Sequence, residues 1–406
     1  MAADRFQQRL RESLQHLQDA HLLRERRTVT RTSSTTAVVD GVPCVTFSTN
    51  DYLGLCHHPD VLSAFQMAAV EQSGSGASPL IAGRGIHQER LEGALAQFEH
   101  SEVALVFPSG FAANVGVLTS LAGPRDAVFC ERDNHASLID GCRASGASFL
   151  VYDRHEPDQL RKSLQRRRQE YQQVFLVSDS VFSMDGTVAC LSELCDLADE
   201  FDASVVVDEA HGTGVFGQRG SGVCELQQVE HRVAVRVGTL SKAIGCVGGF
   251  VVGTNELIQF LWNKARTQFF STALPPAVFA AATESIRIIA QDAERRIRLH
   301  QRAMFLRCRL ETAGLNLVTA PRSHLGLDGY AFGTLTESPI IAVLLDSEVA
   351  AVEAGQELLR RGFHVPAVRP PTVPSGTSRL RLSVTSEHSE EQIVALCEVL
   401  ESILSA

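Results

Sequence analysis

The chain of 406 residues has no excess of positive charge: 37 Lys and Arg stand against 47 Asp and Glu, for a net charge of −10. That balance argues against nucleic acid or an anionic membrane as a general partner, so a polyanionic substrate would need a local basic patch. No stretch approaches the uninterrupted apolar length of a membrane span. The ten cysteines run from Cys44 to Cys397 without a C-x-x-C pair, which argues against a disulfide frame or a zinc site and speaks for buried thiols in a reducing compartment. No metal site is expected. The segment Met1-Ala-Ala-Asp-Arg-Phe-Gln-Gln-Arg-Leu10 lacks the apolar core of a signal peptide, and Asp4, Glu12 and Asp19 count against an acid-poor transit peptide. A cytoplasmic protein is expected. Internal repeats and low-complexity tracts are also missing.

What is present is a globular composition, 44% apolar and 21% charged, in a chain long enough for a large core. Phe6, Leu10, Leu14 and Leu17 recur at helical spacing and predict an amphipathic helix over residues 3–20, packed on its own domain or on a second subunit. Arg24, Arg26, Arg27 and Arg31 follow as the densest early basic cluster. The run Ala37 to Phe47 predicts a hairpin turning at Asp40-Gly41. Gly74-Ser-Gly-Ala-Ser-Pro-Leu-Ile-Ala-Gly83 is too rich in Gly and Ser for a regular element and reads as a loop, either a connector or a place where backbone approaches a ligand.

From residue 100 to 253 apolar runs alternate with helical patterns: 103–107, 127–130, 148–152, 174–177, 204–207, 233–237 and 250–252. This predicts an α/β fold, a mostly parallel seven-stranded sheet covered on both faces. The last two runs have no crossover helix between them, so one of them is expected to be antiparallel. A smaller α/β C-terminal domain follows, with strands at 340–345, 364–368 and 380–384 and helices near 348–361 and 389–404. The expected division is residues 1–50 for the N-terminal helix and hairpin, 51–285 for the large domain and 286–406 for the small one.

Ligands of such sheets bind beyond the carboxyl ends of the strands, and the polar motifs fall there. Ser109-Gly110 opens a helix after the first strand, where free N–H groups suit a phosphate. His135 stands at a helix start after the second. Ser183 follows the fourth. Asp208 ends the fifth, with His211 three residues on. Lys242 lies between two apolar runs, with Thr239 and Ser241 beside it. An amine held in such a place has a lowered pKa and can attack a carbonyl as Schiff-base lysines do, and a strand-end carboxylate can hold a pyridine nitrogen protonated. Each residue has a plain structural reading too: a surface lysine, a capping aspartate, a core histidine. Their common address at the strand ends of one sheet favours a pyridoxal-phosphate site. A G-x-G-x-x-G turn, the mark of a dinucleotide site, does not follow the first strand.

Read in order, Asn50-Asp-Tyr-Leu-Gly, Ser109-Gly-Phe-Ala-Ala-Asn, Asn134-His-Ala-Ser, Val181-Phe-Ser-Met-Asp-Gly, Asp208-Glu-Ala-His-Gly-Thr-Gly, Thr239-Leu-Ser-Lys and Arg379-Leu-Arg-Leu strongly resemble the α-oxoamine synthases. The resemblance runs from about residue 22 onward. It implies a fold-type I enzyme dependent on pyridoxal 5'-phosphate and a homodimer with shared active sites. Lys242 would bond the cofactor, His135 would stack on its ring, Asp208 would pair with the pyridine nitrogen, and His211 and Ser183 would contact it. Gly110, Phe111 and Thr239 would hold the phosphate, with Ser271 or Thr272 added from the second subunit. Asn50 and Arg379 match positions that handle the amino-acid carboxylate, and Arg24 and Thr372 match acyl-substrate positions. The stretch Arg369-Pro-Pro-Thr-Val-Pro374 is similar to members that condense L-alanine with a pimeloyl thioester, on CoA or a carrier protein, with loss of CO2. Members that use glycine are the alternative within the family, and an inactive regulatory homologue is one outside its chemistry. Two positions depart from the pattern: Asp179 stands where relatives often carry Glu, and Pro79 where they often carry Arg or Gly.

Overall fold

The computed structural model describes residues 2–318 and 338–404. Three strands near the N-terminus, β1 (Val29–Arg31), β2 (Thr36–Val39) and β3 (Val42–Thr46), form antiparallel pairs. The turn between β2 and β3 is Asp40-Gly41, with φ of 49° and 86°, the left-handed pair that tight hairpins demand and that Asp and Gly tolerate.

Seven strands follow: β4 (Val103–Phe107), β5 (Ala127–Glu131), β6 (Ser148–Tyr152), β7 (Val174–Asp179), β8 (Ser204–Asp208), β9 (Val235–Thr239) and β10 (Gly249–Gly253). They lie side by side in the order β4-β10-β9-β8-β7-β5-β6. β10 is antiparallel to both its neighbours, and the other pairs are parallel. The missing crossover is the cause: the nine residues from Leu240 to Gly248 can only turn the chain back beside β9. Both faces of this sheet are covered. Phe129, Leu176 and Val207 belong to the core on one side, and Val128, Val177 and Val206 to the core on the other. The adjacent numbers show why the strands read as continuous apolar runs rather than alternating ones.

The C-terminal strands are β11 (Ile340–Leu344), β12 (Phe363–His364), β13 (Ala367–Val368) and β14 (Arg379–Ser383), with helices Glu348–Arg360 and Glu390–Leu404. The single strand expected over 364–368 is two. Pro366 interrupts it, since proline has no N–H for a ladder; β12 joins β3 in the N-terminal sheet, while β13 pairs with β14. The hairpin segment therefore shares a sheet with the C-terminal part of the chain.

One further expectation changes and another narrows. Within the glycine-rich stretch, Pro79–Gly83 forms one turn of π-helix, closed by Gly83 N–H donating to Ser78 O at 2.8 Å. Only glycine fits there, because a Cβ at position 83 would lie 2.3 Å from Ala77 O. The N-terminal helix spans Ala2–Asp19, yet Phe6, Leu10, Leu14 and Leu17 are exposed on it. It does not bury its stripe against the described residues. No described helix is long and apolar enough to cross a membrane, and all ten cysteines are free thiols.

Candidate active site

The parallel strands end on one side of the sheet, and their last residues build the site. Asp179 closes β7 and Asp208 closes β8, and the two are register partners, so two carboxylates stand side by side. Both are buried, and neither has an ion-pair partner among the described residues. Asp208 is fixed by neutral donors: Asn114 Nδ2 to Oδ2 at 2.6 Å and Ala210 N–H to Oδ1 at 2.7 Å. Asp179 Oδ2 accepts the His135 N–H at 2.7 Å, and its own N–H donates to Asn134 Oδ1 at 2.7 Å. Burial first, and then the neighbouring Asp208 charge, push the Asp179 carboxyl well above its usual range.

Asn114 reaches Asp208 from the helix Gly110–Leu121 that follows β4. Ser109 caps this helix, its Oγ accepting the Ala112 N–H at 3.0 Å. Gly110 and Phe111, the first two residues of the helix, have no intrahelical acceptor for their N–H groups. Gly110 also lies against Thr239, where an added Cβ would come 3.3 Å from the threonine side chain. His135 caps the helix Ala136–Ala144 after β5, its Nδ1 2.7 Å from Ser137 Oγ. Its ring meets Phe111 edge-on at 6.5 Å, and both side chains are exposed toward the cleft.

Lys242 sits in the turn between β9 and β10, anchored by Leu240 N–H donating to Gly248 O and by Thr239 Oγ1 donating to the same carbonyl. Loss of solvent pulls its amine down to about 8; the Asp208 and Asp179 charges oppose the shift, and Arg381 adds to it. His211 is buried, and burial, Lys242, Arg381 and His135 together keep it well below the ordinary imidazole range. Its Nδ1 lies 2.6 Å from the Tyr52 hydroxyl.

Most of the predicted residues converge. Lys242, Asp208, His211 and His135 act on one another's charges, and Gly110, Phe111 and Thr239 surround one helix start. Ser183 is drawn in through its carbonyl, which accepts from Arg381 Nε. Asn50 Oδ1 accepts from Arg381 Nη2 at 3.2 Å. Arg24 and Thr372, far apart in sequence, meet: Arg24 Nη2 donates to Thr372 Oγ1 at 3.1 Å. Arg379 stands apart: its Nε donates to Thr377 O, and the charges that act on it are those of Asp185 and Asp133. Thr272 is exposed.

Four residues join the site without a sequence signal of their own: Asn114, Tyr52, Asp179 and Arg381. Asn114 and Tyr52 lay inside motifs already noted, and helical spacing from Gly110 puts Asn114 one turn on, facing the same way. Arg381 is two residues from Arg379 on one strand, so alternation puts both on one face.

A buried carboxylate held by neutral donors, a lysine with a depressed pKa and a glycine-cradled helix start make a site that fits pyridoxal phosphate. The comparisons agree. The model of the aminotransferase class I and II family matches residues 42–400. The 8-amino-7-oxononanoate synthase of Methylococcus capsulatus is 43% identical over 93% of this chain and 93% of its own. The chain belongs to the α-oxoamine synthase family. Among solved structures, a serine palmitoyltransferase from S. paucimobilis with bound PLP superposes with a TM-score of 0.88 at 33% identity, covering 97% of this chain and 96% of that one. The 8-amino-7-oxononanoate synthase of Francisella tularensis gives 0.72 at 25%, over 89% and 98%. This α-oxoamine synthase is accordingly a fold-type I enzyme dependent on pyridoxal phosphate. Lys242, Asp208, His135, His211, Thr239 and the Gly110–Phe111 amides would hold the cofactor.

Proposed function

We propose that this chain condenses L-alanine with a pimeloyl thioester, on CoA or a carrier protein, releasing CO2 and 8-amino-7-oxononanoate for biotin biosynthesis. The observation that carries the acyl half is the pairing of Arg24 with Arg369. The Arg369 guanidinium donates to Leu23 O, next to Arg24. Burial first, and then the Arg24 charge, depress its pKa. Neither arginine has a carboxylate partner among the described residues. Two cations kept together without an anion suit the far carboxylate of a dicarboxylic acyl chain, which an arginine can grip with two parallel hydrogen bonds.

The cofactor, when bound, supplies an electron sink for the carbanion that forms at alanine Cα and again on loss of CO2. The chain does the rest. Asp208, held by Asn114 and the Ala210 N–H, would keep the ring nitrogen protonated. Arg381, beside Asn50, is the cation offered to the amino-acid carboxylate, a role the sequence alone had assigned to Arg379. Lys242, with its amine near neutrality, takes and returns the Cα proton. His135 and Phe111 line the open side. Thr272, exposed here, is offered to the site of a second subunit in a homodimer, and the enzyme works in the cytoplasm.

A second reading has its own support: the higher structural similarity is to a serine palmitoyltransferase. A long neutral acyl chain gives the Arg24–Arg369 pair nothing to bind. The test is a panel of alanine, glycine and serine against pimeloyl-, acetyl- and palmitoyl-CoA with the holo-enzyme, following CoA release. Preference for alanine with pimeloyl-CoA is expected; preference for serine with palmitoyl-CoA, or for glycine with acetyl-CoA, would overturn the assignment.

A further inference from the structure

Tyr52 has no part in the chemistry described above, yet its side chain is fully buried beside it. The hydroxyl is 2.6 Å from His211 Nδ1 and 3.3 Å from Asn50 Oδ1. A phenol has one proton and can donate to only one of them. Asn50 Oδ1 already receives a hydrogen from Arg381 Nη2, and the histidine contact is the shorter by a wide margin. The accepting side of the phenol oxygen faces Arg381, a donor-only group. This leaves the 2.6 Å contact to the phenol's own proton, which goes to Nδ1 in preference to the 3.3 Å contact with Asn50, and Nδ1 must be unprotonated to accept.

A neutral imidazole has a single N–H, so the proton falls to Nε2. That nitrogen has no hydrogen-bond partner among the described residues, and the charges acting on the ring are those of Lys242, Arg381 and His135. We propose that Tyr52 is a positioning residue that fixes His211 as the Nε2–H tautomer, so the ring presents a hydrogen-bond donor to the cleft. Two conditions make the arrangement stable. Burial first, and then the Lys242 and Arg381 charges, keep His211 from taking a second proton. Burial also pushes Tyr52 up to about 12, against the opposing effect of Arg381, so the hydroxyl keeps the proton it donates. The inference rests on the cofactor assignment only for what the donor meets, the phenolic oxygen of pyridoxal phosphate. There a donor stabilises the charged form of that oxygen, whereas the other tautomer would bring a lone pair against it.

The test is 15N-histidine NMR of the apo-protein, with the His211 signal identified by its loss in His211→Gln. Two-bond correlations should show Nε2 protonated and Nδ1 unprotonated in the wild type, and a mixture or a reversed tautomer in Tyr52→Phe. In the holo-enzyme, Tyr52→Phe should keep the visible cofactor band but move its titration midpoint by about 0.5 pH unit or more. A wild-type spectrum with Nδ1 protonated would overturn the proposal, and does so without the variant should Tyr52→Phe fail to fold. An unchanged tautomer in Tyr52→Phe would overturn it as well. A missing cofactor band in both proteins, with Nε2–H intact, would refute the cofactor assignment and leave the tautomer standing.

Discussion

Replacing Arg24 with alanine separates the dicarboxylic acyl substrate from a neutral one. Arg24 is exposed, and among the described residues its hydrogen bond goes to Thr372 Oγ1 at 3.1 Å, so the guanidinium can also meet a carboxylate. A hydrogen bond to a charged group contributes about 1.5–3 kcal/mol. Exposure to solvent argues for the lower figure, a loss of about tenfold in kcat/KM for pimeloyl-CoA. Arg369 stays in place and, relieved of a like charge, takes part of the load. Arg24→Ala with Arg369→Ala together should therefore cost about 3 kcal/mol, or about 150-fold. Octanoyl-CoA has a similar length and no far carboxylate, and its slower turnover should change by less than about threefold. The assay is CoA release at fixed alanine, with kcat/KM measured for both thioesters on all variants. Equal losses for the two thioesters would show that Arg24 shapes the loop and does not read charge, and the dicarboxylate argument would fall.

The remaining predictions concern the core. Asp208→Asn should preserve the fold and cost about a thousandfold in turnover, about 4 kcal/mol, because an amide cannot hold the ring nitrogen protonated; steady-state kinetics check it. Lys242 titrates near 8 in the folded apo-protein against 10.5 unfolded, so the unfolded chain binds more protons between those values and stability rises with pH across that window. Apo Lys242→Met should be more stable than apo wild type at pH 7, by at most about 3 kcal/mol, and the gain should vanish past pH 10, as urea melts would show. His388 is buried under the stacked Phe47 ring; its Nδ1 accepts the Thr385 N–H, its Nε2 donates to Thr46 O, and burial holds it down to about 4. Its folded pKa lies below the unfolded one, so stability present above pH 6.5 should be lost as pH falls toward 4. The loss is about 3 kcal/mol in wild type, and a flatter profile is expected in His388→Gln.

The large sheet was legible because its strands are buried on both faces and announce themselves as unbroken apolar runs. The antiparallel β10 was legible from the shortness of the link before it. The strand-end residues followed from the sheet, since Asp208 and Lys242 stand where such folds keep their ligands. What the sequence did not show depends on partners distant along the chain. Arg379 and Arg381 are indistinguishable in a pattern of alternation; only the packing of β14 against Ser183 and Asn50 brings one to the cleft and leaves the other with Asp185 and Asp133. Tyr52 belonged to a noted motif, but its contact with His211 spans 159 residues. The split of 363–368 into two sheets turned on Pro366, a local signal that was there to be read. The exposed stripe of the N-terminal helix shows the converse: periodicity identifies a helix without saying what covers it.

In the proposed condensation the amino acid loses its carboxyl group, and following that carbon tests the reaction most directly. Purified holo-enzyme given alanine labelled with 13C at the carboxyl and pimeloyl-CoA should release one 13CO2 for each CoA, and leave an unlabelled amino ketone with the mass of 8-amino-7-oxononanoate. Retention of the label in the product, or CoA release without CO2, would contradict the account.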